Sequence, residues 1–507
     1  MSSILTNNGA MVALQTLKGI NKDMGMIQSE ISTGKSVGSA KDNAAVWAIS
    51  KVMESDVKGF KGISDSLNLG SSTLTVGRQA AEAVTNLLTD IKGKIVAAQE
   101  ENQDRGKIQT DIVKLREQIA SVVGAAQFNG LNLISGTDDV NILSSLDRSS
   151  NGNVTASNIT IQREDLTTKA GTFGAGAALD SNATESAATT TSTGKTAELT
   201  FAGTTAGDTA RVTVGGVELN YTAAASTNAT DAATFFTGAI NALGLTGVSA
   251  TNTAGVLTIS SNRAFEGLAV SQTATGTGTL AISNVNGAAP AGTNTAAASS
   301  IAQRAETVKL STTAQVNEGD SYKVTVGSAS YDYIAGKNEN MEDVARGLKI
   351  AIDSGSPTGV TTSVTQDATT KQWSLNVDND GTGSASLALV ATGNAGGKAS
   401  GGLFGLDAID VRSNKGADAA LTNIESMIDR SIDAAANFGS TQKRIGIQAD
   451  FVGKLSDALK SGIGSLVDAD MEEASARLQA LQVQQQLGTQ ALSIANQQPQ
   501  SLLALFR

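Results

Sequence analysis

AMVALQTLKGINKDMGMIQSEI, residues 10–31, decides the architecture of this chain. Its apolar positions Ala10, Ala13, Leu17, Ile20, Met24, Ile27 and Ile31 alternate in steps of three and four, the a/d spacing of a coiled-coil seam. A helix carrying one such stripe gains little stability until something covers it. Ser32-Thr33-Gly34-Lys35 breaks the pattern, which resumes through Val46, Ile49 and Met53 and again from Phe60 through Ile63, Leu67, Gly70, Leu74, Gly77, Ala81, Val84, Leu88, Ile91, Ile95 and Ala98. Only Asp56 interrupts it, and the small residues Gly70 and Gly77 predict close approach of a neighbouring helix. At about 1.5 Å per residue this second helix would run some 80 Å. The polar stretch 100–106 reverses the chain, a further seam follows at Ile108, Ile112, Leu115, Ile119, Val122 and Ala126, and Asn129-Gly130 is a turn signal.

The other end mirrors this. Leu421, Ile424, Ile428, Ala435 and Phe438 mark one helical face, continued by Val452, Leu455, Leu459, Ile463 and Leu466 after an interruption near Gly439. A last segment, 470–496, carries Ala474, Leu478, Leu481, Gln485, Gly488 and Leu492 on one stripe. Stripes at both termini predict that the ends pack on each other and that the middle is an insertion.

The middle contains an internal repeat. Shifted by 112 positions, residues 207–248 align without a gap on 319–360, with 16 of 42 positions identical, including Val212-Thr213-Val214-Gly215 on Val324-Thr325-Val326-Gly327 and Asp231 on Asp343. Each copy reads as strand, turn, strand, helix (231–243; 341–353), then a second strand pair that includes 256–259 and 373–377. The stretches 167–194 and 276–300, low in charge and rich in Ala, Gly, Ser and Thr, read as linkers. The predicted fold is therefore α+β and multidomain: a long-helix coiled-coil core from both termini, with an inserted outer region of two repeated strand-helix-strand modules.

Composition restricts function. The 507 residues carry a formal charge of -11, which argues against nucleic acid, because phosphate binding needs a basic face. There is no cysteine and no histidine, so disulfides, thiolate metal sites and every histidine-dependent catalytic device are excluded. No run of about 18 apolar residues is present, so no membrane insertion is expected. The opening MSSILTNNGAMVALQ has no basic stretch followed by an apolar one, the pattern of a cleavable secretory signal. We expect no enzyme and no cofactor.

Several short motifs point further. Ser32-Thr33-Gly34, followed by Ser39-Ala40-Lys41-Asp42-Asn43-Ala44-Ala45 and Ala48-Ile49, closely resembles the N-terminal signature of bacterial flagellins, and Gln127-Phe128-Asn129-Gly130 sits where that family places its own QFNG turn. Asp468-Ala469-Asp470, Gln485-Gln486, Gly488-Thr489, Ala495-Asn496-Gln497, Pro499-Gln500 and the closing Leu503, Leu505 and Arg507 look like the family's C-terminal pattern. The resemblance covers about residues 1–140 and 415–507, and the Asn43–Ala48 wording is most like alphaproteobacterial members.

The resemblance implies a secreted subunit of the extracellular flagellar filament, exported unfolded through the flagellar type III channel and folding its termini on polymerisation. Its implied partners are other flagellin subunits in a homopolymer, an export chaperone, the filament cap and the hook-associated junction proteins. Residues 1–42 with 465–507 would form the inner coiled-coil core, 43–175 with 405–464 a helical bundle with a small β element, and 195–290 and 301–400 the two outer modules. Leu17, Ile20, Met24, Ile27, Ile31, Leu478, Leu481, Leu492, Leu503 and Leu505 would then pack subunit against subunit. The alternatives are a hook–filament junction protein, which shares these termini, and an adhesive role for the outer modules.

Blander features remain bland. Asn376-Val377-Asp378-Asn379-Asp380-Gly381 has the alternating carboxylates of a calcium loop, but Leu387 stands where its bidentate Glu belongs, so it reads as a polar strand turn. Lys92 and Lys94 read as solvated helix charges. The Asn-x-Thr triplets at Asn158, Asn182 and Asn228 read as chance in a Thr-rich chain.

Overall fold

The computed structural model describes residues 7–149, 153–225, 228–289, 298–381 and 386–505, with side chains at the far end described through residue 497. Among them are seven α-helices: α1 (Asn8–Thr33), α2 (Ala44–Ala98), α3 (Arg105–Ala125), α4 (Ala229–Ala242), α5 (Met341–Gly355), α6 (Asn414–Val467) and α7 (Met471–Leu505). Every named strand pairs antiparallel, so the chain is α+β. It divides into two units, Met1–Leu74 with Asp139–Ile161 and Gly439–Arg507, and Thr75–Asp138 with Gln162–Phe438.

In the first unit α1 starts where the Asn7 side chain accepts from the Ala10 N–H at 3.0 Å and stops at Gly34, whose φ of +70° suits glycine and whose N–H returns to Glu30 O at 2.8 Å. The break read at Ser32–Lys35 is thus a helix C-cap. On the N-terminal part of α2, Ile63, Leu67 and Leu74 are fully buried. The seam slips before Asp56: Ile49 is 54% exposed and Ser50 is buried, its hydroxyl donating to Trp47 O. Leu466 is likewise exposed, and Val467 is buried in its place. Gly70 admits not a helix but a hairpin, Val140–Arg148 with Val154–Ile161, since a Cβ there would meet the Ile142 side chain.

In the second unit the rest of α2 buries Ala81, Val84, Leu88, Ile91 and Ile95, α3 buries Ile112, Ile119 and Val123, and α6 buries Ile424, Met427 and Phe438. A Cβ at Gly77 would lie 3.2 Å from Leu133 Cβ and 3.6 Å from Phe438 Cε2, so here the glycine does let a helix approach. The chain leaves this bundle along a ladder in which Thr172 and Lys398 exchange both backbone hydrogen bonds at 2.9 Å.

Beyond the ladder lie two α+β modules. The first has one sheet ordered Val248–Thr253, Val256–Ser261, Lys195–Ala202, Thr279–Val285 and another ordered Ala298–Ile301, Leu268–Thr275, Thr209–Val214, Val217–Thr222. The second has Val360–Gln366, Trp373–Asn379, Glu306–Leu310, Ala183–Glu185 and Thr189–Thr191, Ser386–Asn394, Ser321–Val326, Ala329–Ile334. Helices α4 and α5 both open on a capping box, Asn228 with Asp231 and Asn340 with Asp343.

Both stretches read as linkers carry edge strands: 183–185 and 189–191 in one, 279–285 and 298–300 in the other. Composition could not show this. Thr-rich, uncharged chain suits a strand as well as a linker, and long-range pairing decides between them.

Candidate self-assembly surface

Helices α1 and α7 run antiparallel against each other. Asn7 Nδ2 donates to Ala495 O at 2.8 Å, and Gln485 Nε2 donates to Asn21 Oδ1 at 2.7 Å. A Cβ on Gly488 would lie 3.3 Å from Leu17 Cδ1 and 3.9 Å from Ile20 Cδ1, so this glycine seats both side chains. The shielded positions of α1 are Ala10, Ala13, Leu17, Ile20, Met24, Ile27 and Ile31, together with Glu30; those of α7 are Ala474, Leu478, Leu481, Gln485, Gly488, Leu492 and Ala495. The heptad stripe, expected to pack subunit against subunit, here lines the face on which α1 and α7 of one chain meet. Leu503 and Leu505 fall in the last turns of α7, where the side chains lie outside the described residues.

The cover is thin. Between them the described parts of the two helices bury only Ile27 and Ala474, with the leucines of the seam half-buried. A second apolar set stands in solvent: Val12 and Ile494 are each 64% exposed, and Met11, Leu14, Met26, Val483 and Leu487 lie on the same two helices. Ile447 and Phe451 on α6 are 63% and 58% exposed. The seam reading missed these residues, although their signal was present. An a/d stripe needs two apolar residues in seven, and Met11, Val12 and Leu14 exceed that ration around Ala10 and Ala13.

The signature residues are caps and turns. Asp42 accepts from the Ser39 N–H at 2.8 Å and its hydroxyl at 3.0 Å, bonds that hold its carboxyl below the usual carboxylate range. Ala40 and Lys41 form the exposed turn between those partners. Asn43 caps α2 by accepting from Val46 N at 3.2 Å. Asp470 caps α7 by accepting from Glu472 N and Glu473 N at 3.0 and 3.2 Å. Asp468 bridges Lys35 across the crossing where α1 ends and α7 begins, flanked by Ser36 N to Val467 O at 2.8 Å and Ala469 N to Gly34 O at 3.0 Å.

In the other unit Gln127–Phe128 pairs with Leu131–Asn132 about Asn129 and Gly130, whose φ values of +51° and +80° define a two-residue turn that only such residues adopt readily. Asn132 fastens that hairpin to α3 through Val123 O at 2.7 Å. Lys92 and Lys94 pair with Glu425 and Asp111. Asp378 of the calcium-like stretch is held by both Nε and Nη2 of Arg304 at 2.8 and 2.6 Å. No cluster of carboxylates suited to a metal occurs among the described residues, and no described helix is long and apolar enough to cross a membrane.

These terminal helices match two family models, the bacterial flagellin N-terminal helical region over residues 4–139 and the C-terminal helical region over 421–506. Flagellin A of Rhizobium meliloti is 32% identical over 515 residues, covering 100% of both chains, and flagellin D of strain 1021 is 30% identical over 511 residues with the same coverage. The flagellin of Brucella melitensis is 38% identical over 171 residues, 33% of this chain and 60% of that one. Among solved structures, Xanthomonas campestris FlgL aligns over 81% of this chain and 99% of its own at 11% identity, with a TM-score of 0.30. Full-length likeness and both terminal models place this chain in the bacterial flagellins, the subunits that polymerise into the flagellar filament.

Proposed function

We propose that this flagellin polymerises through the apolar surface that α1 and α7 leave in solvent, and that the pair becomes a stable coiled-coil core only inside the filament. The observation that carries this is the imbalance on these helices, with Ile27 and Ala474 buried against eight large exposed apolar side chains among the described residues, Met471 included. A neighbouring copy that covers Val12, Met26, Leu487 and Ile494 gains about 25 cal/mol per Å² of apolar surface. That gain offsets the entropy of ordering α1 and α7, so order and assembly arrive together. Leu17, Ile20, Met24, Ile27, Ile31, Leu478, Leu481 and Leu492 hold the two helices together, and Leu503 and Leu505 extend the contact between subunits.

In this reading residues 1–42 with 465–507 make the inner coiled-coil core and 43–175 with 405–464 a helical bundle with a small β element. The outer modules are copies of one duplicated unit, facing the medium. Export in an unfolded state, delivery by a chaperone, addition beneath the cap and attachment to the junction proteins belong to the same reading. Limited proteolysis tests the central point. In verified monomer, protease should trim α1 and α7 and stop near 39–43 and 468–470, and in filaments the same bonds should resist. Equal resistance of α1, α7 and the outer modules in the monomer would refute the coupling of order to assembly.

A further inference from the structure

Of the two copies in the outer region, the second carries a helix face built to meet the bundle. Helix α4 buries Ala232, Ala233, Phe236 and Ile240, one stripe turned into its own module. Helix α5 buries the matching Val344, Ala345, Leu348 and Ile352 and, beside them, Gly347, Lys349, Ile350 and Ala351. A helix covered all round lies between two partners. At the 112-residue offset the second side differs in kind: Thr234, Thr237, Gly238 and Asn241 of α4 stand where α5 has Arg346, Lys349, Ile350 and Asp353.

Those four residues meet α6 and the segment leading into it. Lys349 Nζ donates to Asn423 Oδ1 of α6 at 2.9 Å and to Asp353 Oδ2 at 2.7 Å, and Asn423 Nδ2 donates to the same Asp353 oxygen at 3.1 Å. Arg346 Nη1 donates to Ser426 Oγ at 3.2 Å. A Cβ on Gly405 would collide with Ile350 Cγ2, so α5 lies close on the chain that Gln109 of α3 holds through Ile409 O. Farther along α6, Arg430 pairs with Glu339, whose side chain is 2% exposed and also accepts from the Tyr333 hydroxyl at 2.8 Å. The covalent connection is slighter. Where 167–176 and 395–401 run side by side, an added Cβ at Gly171, Gly174 or Gly401 would collide with the backbone opposite, so this neck is backbone against backbone.

We propose that α5 mounts the outer region on the bundle: Lys349, Asp353 and Glu339 of the second module, met by Asn423 and Arg430 of α6, hold that module at one angle which its glycine neck alone does not hold. A two-stranded ribbon is marginal by itself. An apolar face would also let α5 slide along α6, whereas buried ion pairs and their hydrogen bonds are satisfied in one register. The outer region then turns with α6 rather than swinging from it. The inference concerns contacts within one chain and stands apart from the assembly reading.

Spin-label distances on the full-length monomer test it. The chain has no cysteine, so nitroxides can be placed through Gln118→Cys on α3 and Ala368→Cys in a turn of the second module, both exposed. Pulsed electron–electron resonance on this parent should give one narrow distance distribution. Asn423→Ala with Arg430→Ala strips α6 of its partners and leaves Lys349 paired with Asp353. The distribution should then broaden about twofold or more, because motion is the default for a joint without a large interface. Hydrogen exchange across α5 checks that the module stays folded. If exchange there rises, the test passes to Arg346→Thr with Lys349→Thr and Asp353→Asn, which gives α5 the side chains of α4 at those positions and strands no buried charge. That variant should broaden the distribution as well. Parental width in the variant that keeps α5 protected would overturn the proposal, since the neck would then set the angle. So would a broad distribution in the parent. Opening of α5 in both variants would overturn it too, because α6 would then belong to the module's core rather than carry it.

Discussion

The α1–α7 pair and the outer modules are built from the same Ala, Val, Ile and Leu, and they spend those residues differently. In the first module Leu199, Val212, Phe236 and Ile259 are fully buried within one chain, as are Val324, Leu348 and Leu375 in the second. In the helix pair most apolar side chains are half-covered or exposed. A core closed by its own chain is stable before assembly, and a seam left half-open reserves its gain for a neighbour. On the assembly reading proposed above, the difference separates what folds alone from what polymerises.

The largest expected effect breaks this comparison if the difference is not real. Leu478→Asp or Ile20→Asp should abolish seeded growth measured by light scattering, because the polymer buries an unpaired carboxylate in every subunit. Their monomers should melt almost as the parent does by circular dichroism. Leu67→Asp, at a fully buried position on α2, should instead cost the monomer about 3–5 kcal/mol. If Leu478→Asp destabilises the monomer as much as Leu67→Asp, the ends are packed before assembly and only the order–assembly coupling falls.

Next in size is removal of the outer region. The backbone ladder sets the cut: Ala178 bridges Asn394, Gly176 N donates to Ala395 O at 2.8 Å, and Thr172 pairs with Lys398. Deleting 179–393 and closing Ala178 to Asn394 with an Asn-Gly turn should leave a chain that polymerises into thinner, smoother filaments by electron microscopy. Cutting at 195 and 400 should do worse, because it strands 183–191 without their partners. A correctly folded 179–393 deletion that fails to grow from seeds would assign essential subunit contacts to the modules.

Acid sharpens the comparison further. Asp208 in the first module accepts from Thr205 N at 2.8 Å, Thr277 N at 3.0 Å and Gly278 N at 2.8 Å, and these bonds, led by Thr205, lower its pKa to about 2. A depressed carboxylate contributes stability that is complete above its unfolded pKa near 3.8 and is lost as pH falls toward 2. Thermal melts between pH 5 and pH 2 should show the first module weakening over that window. Asp208→Asn should melt lower at neutral pH and lose much of the pH dependence. A parental slope in that variant would move the acid sensitivity to another group.

Much of this was legible in the sequence, for reasons that particular residues make plain. The seams of α1 and α7 could be read because helical periodicity is local and survives weak packing. The Asn129-Gly130 turn was written in residues that such geometry favours, whereas Asn228, read as a chance Asn-x-Thr triplet, and Asn340 turned out to be helix caps. Edge strands 183–191 were hidden, because nothing local says that Thr190 is buried beneath a strand almost 200 residues away. The slip at Ile49 was hidden too: an exposed isoleucine and a buried serine invert the rule on which periodicity rests. The exposed apolar set of α1 and α7 could be found only by asking what lay off the stripe.

The smallest expected effect lies within the first unit, where α2 buries Ile63, Leu67 and Leu74 while the described parts of α1 and α7 bury only Ile27 and Ala474. A Cβ on Gly70 would collide with Ile142 Cδ1 and lie 3.1 Å from its Cγ1 and 3.3 Å from its Cγ2, whereas among the described residues nothing approaches within 4 Å of the same atom on Gly62. Alanine in a helix interior gains about 1 kcal/mol over glycine, so Gly62→Ala should stabilise the monomer by about that amount. At Gly70 the same gain meets overpacking worth about 1–3 kcal/mol, and the net should be a loss of up to about 2 kcal/mol. Gly70→Ala with Ile142→Val should recover part of it, because Cδ1 is the colliding atom. Since Ile142 sits on the hairpin and not on α1 or α7, critical concentration for growth should move little in any of these variants. A gain in monomer stability from Gly70→Ala equal to that from Gly62→Ala would mean that the hairpin does not press on α2 in solution. The first unit would then be as loosely packed along α2 as it is between its terminal helices.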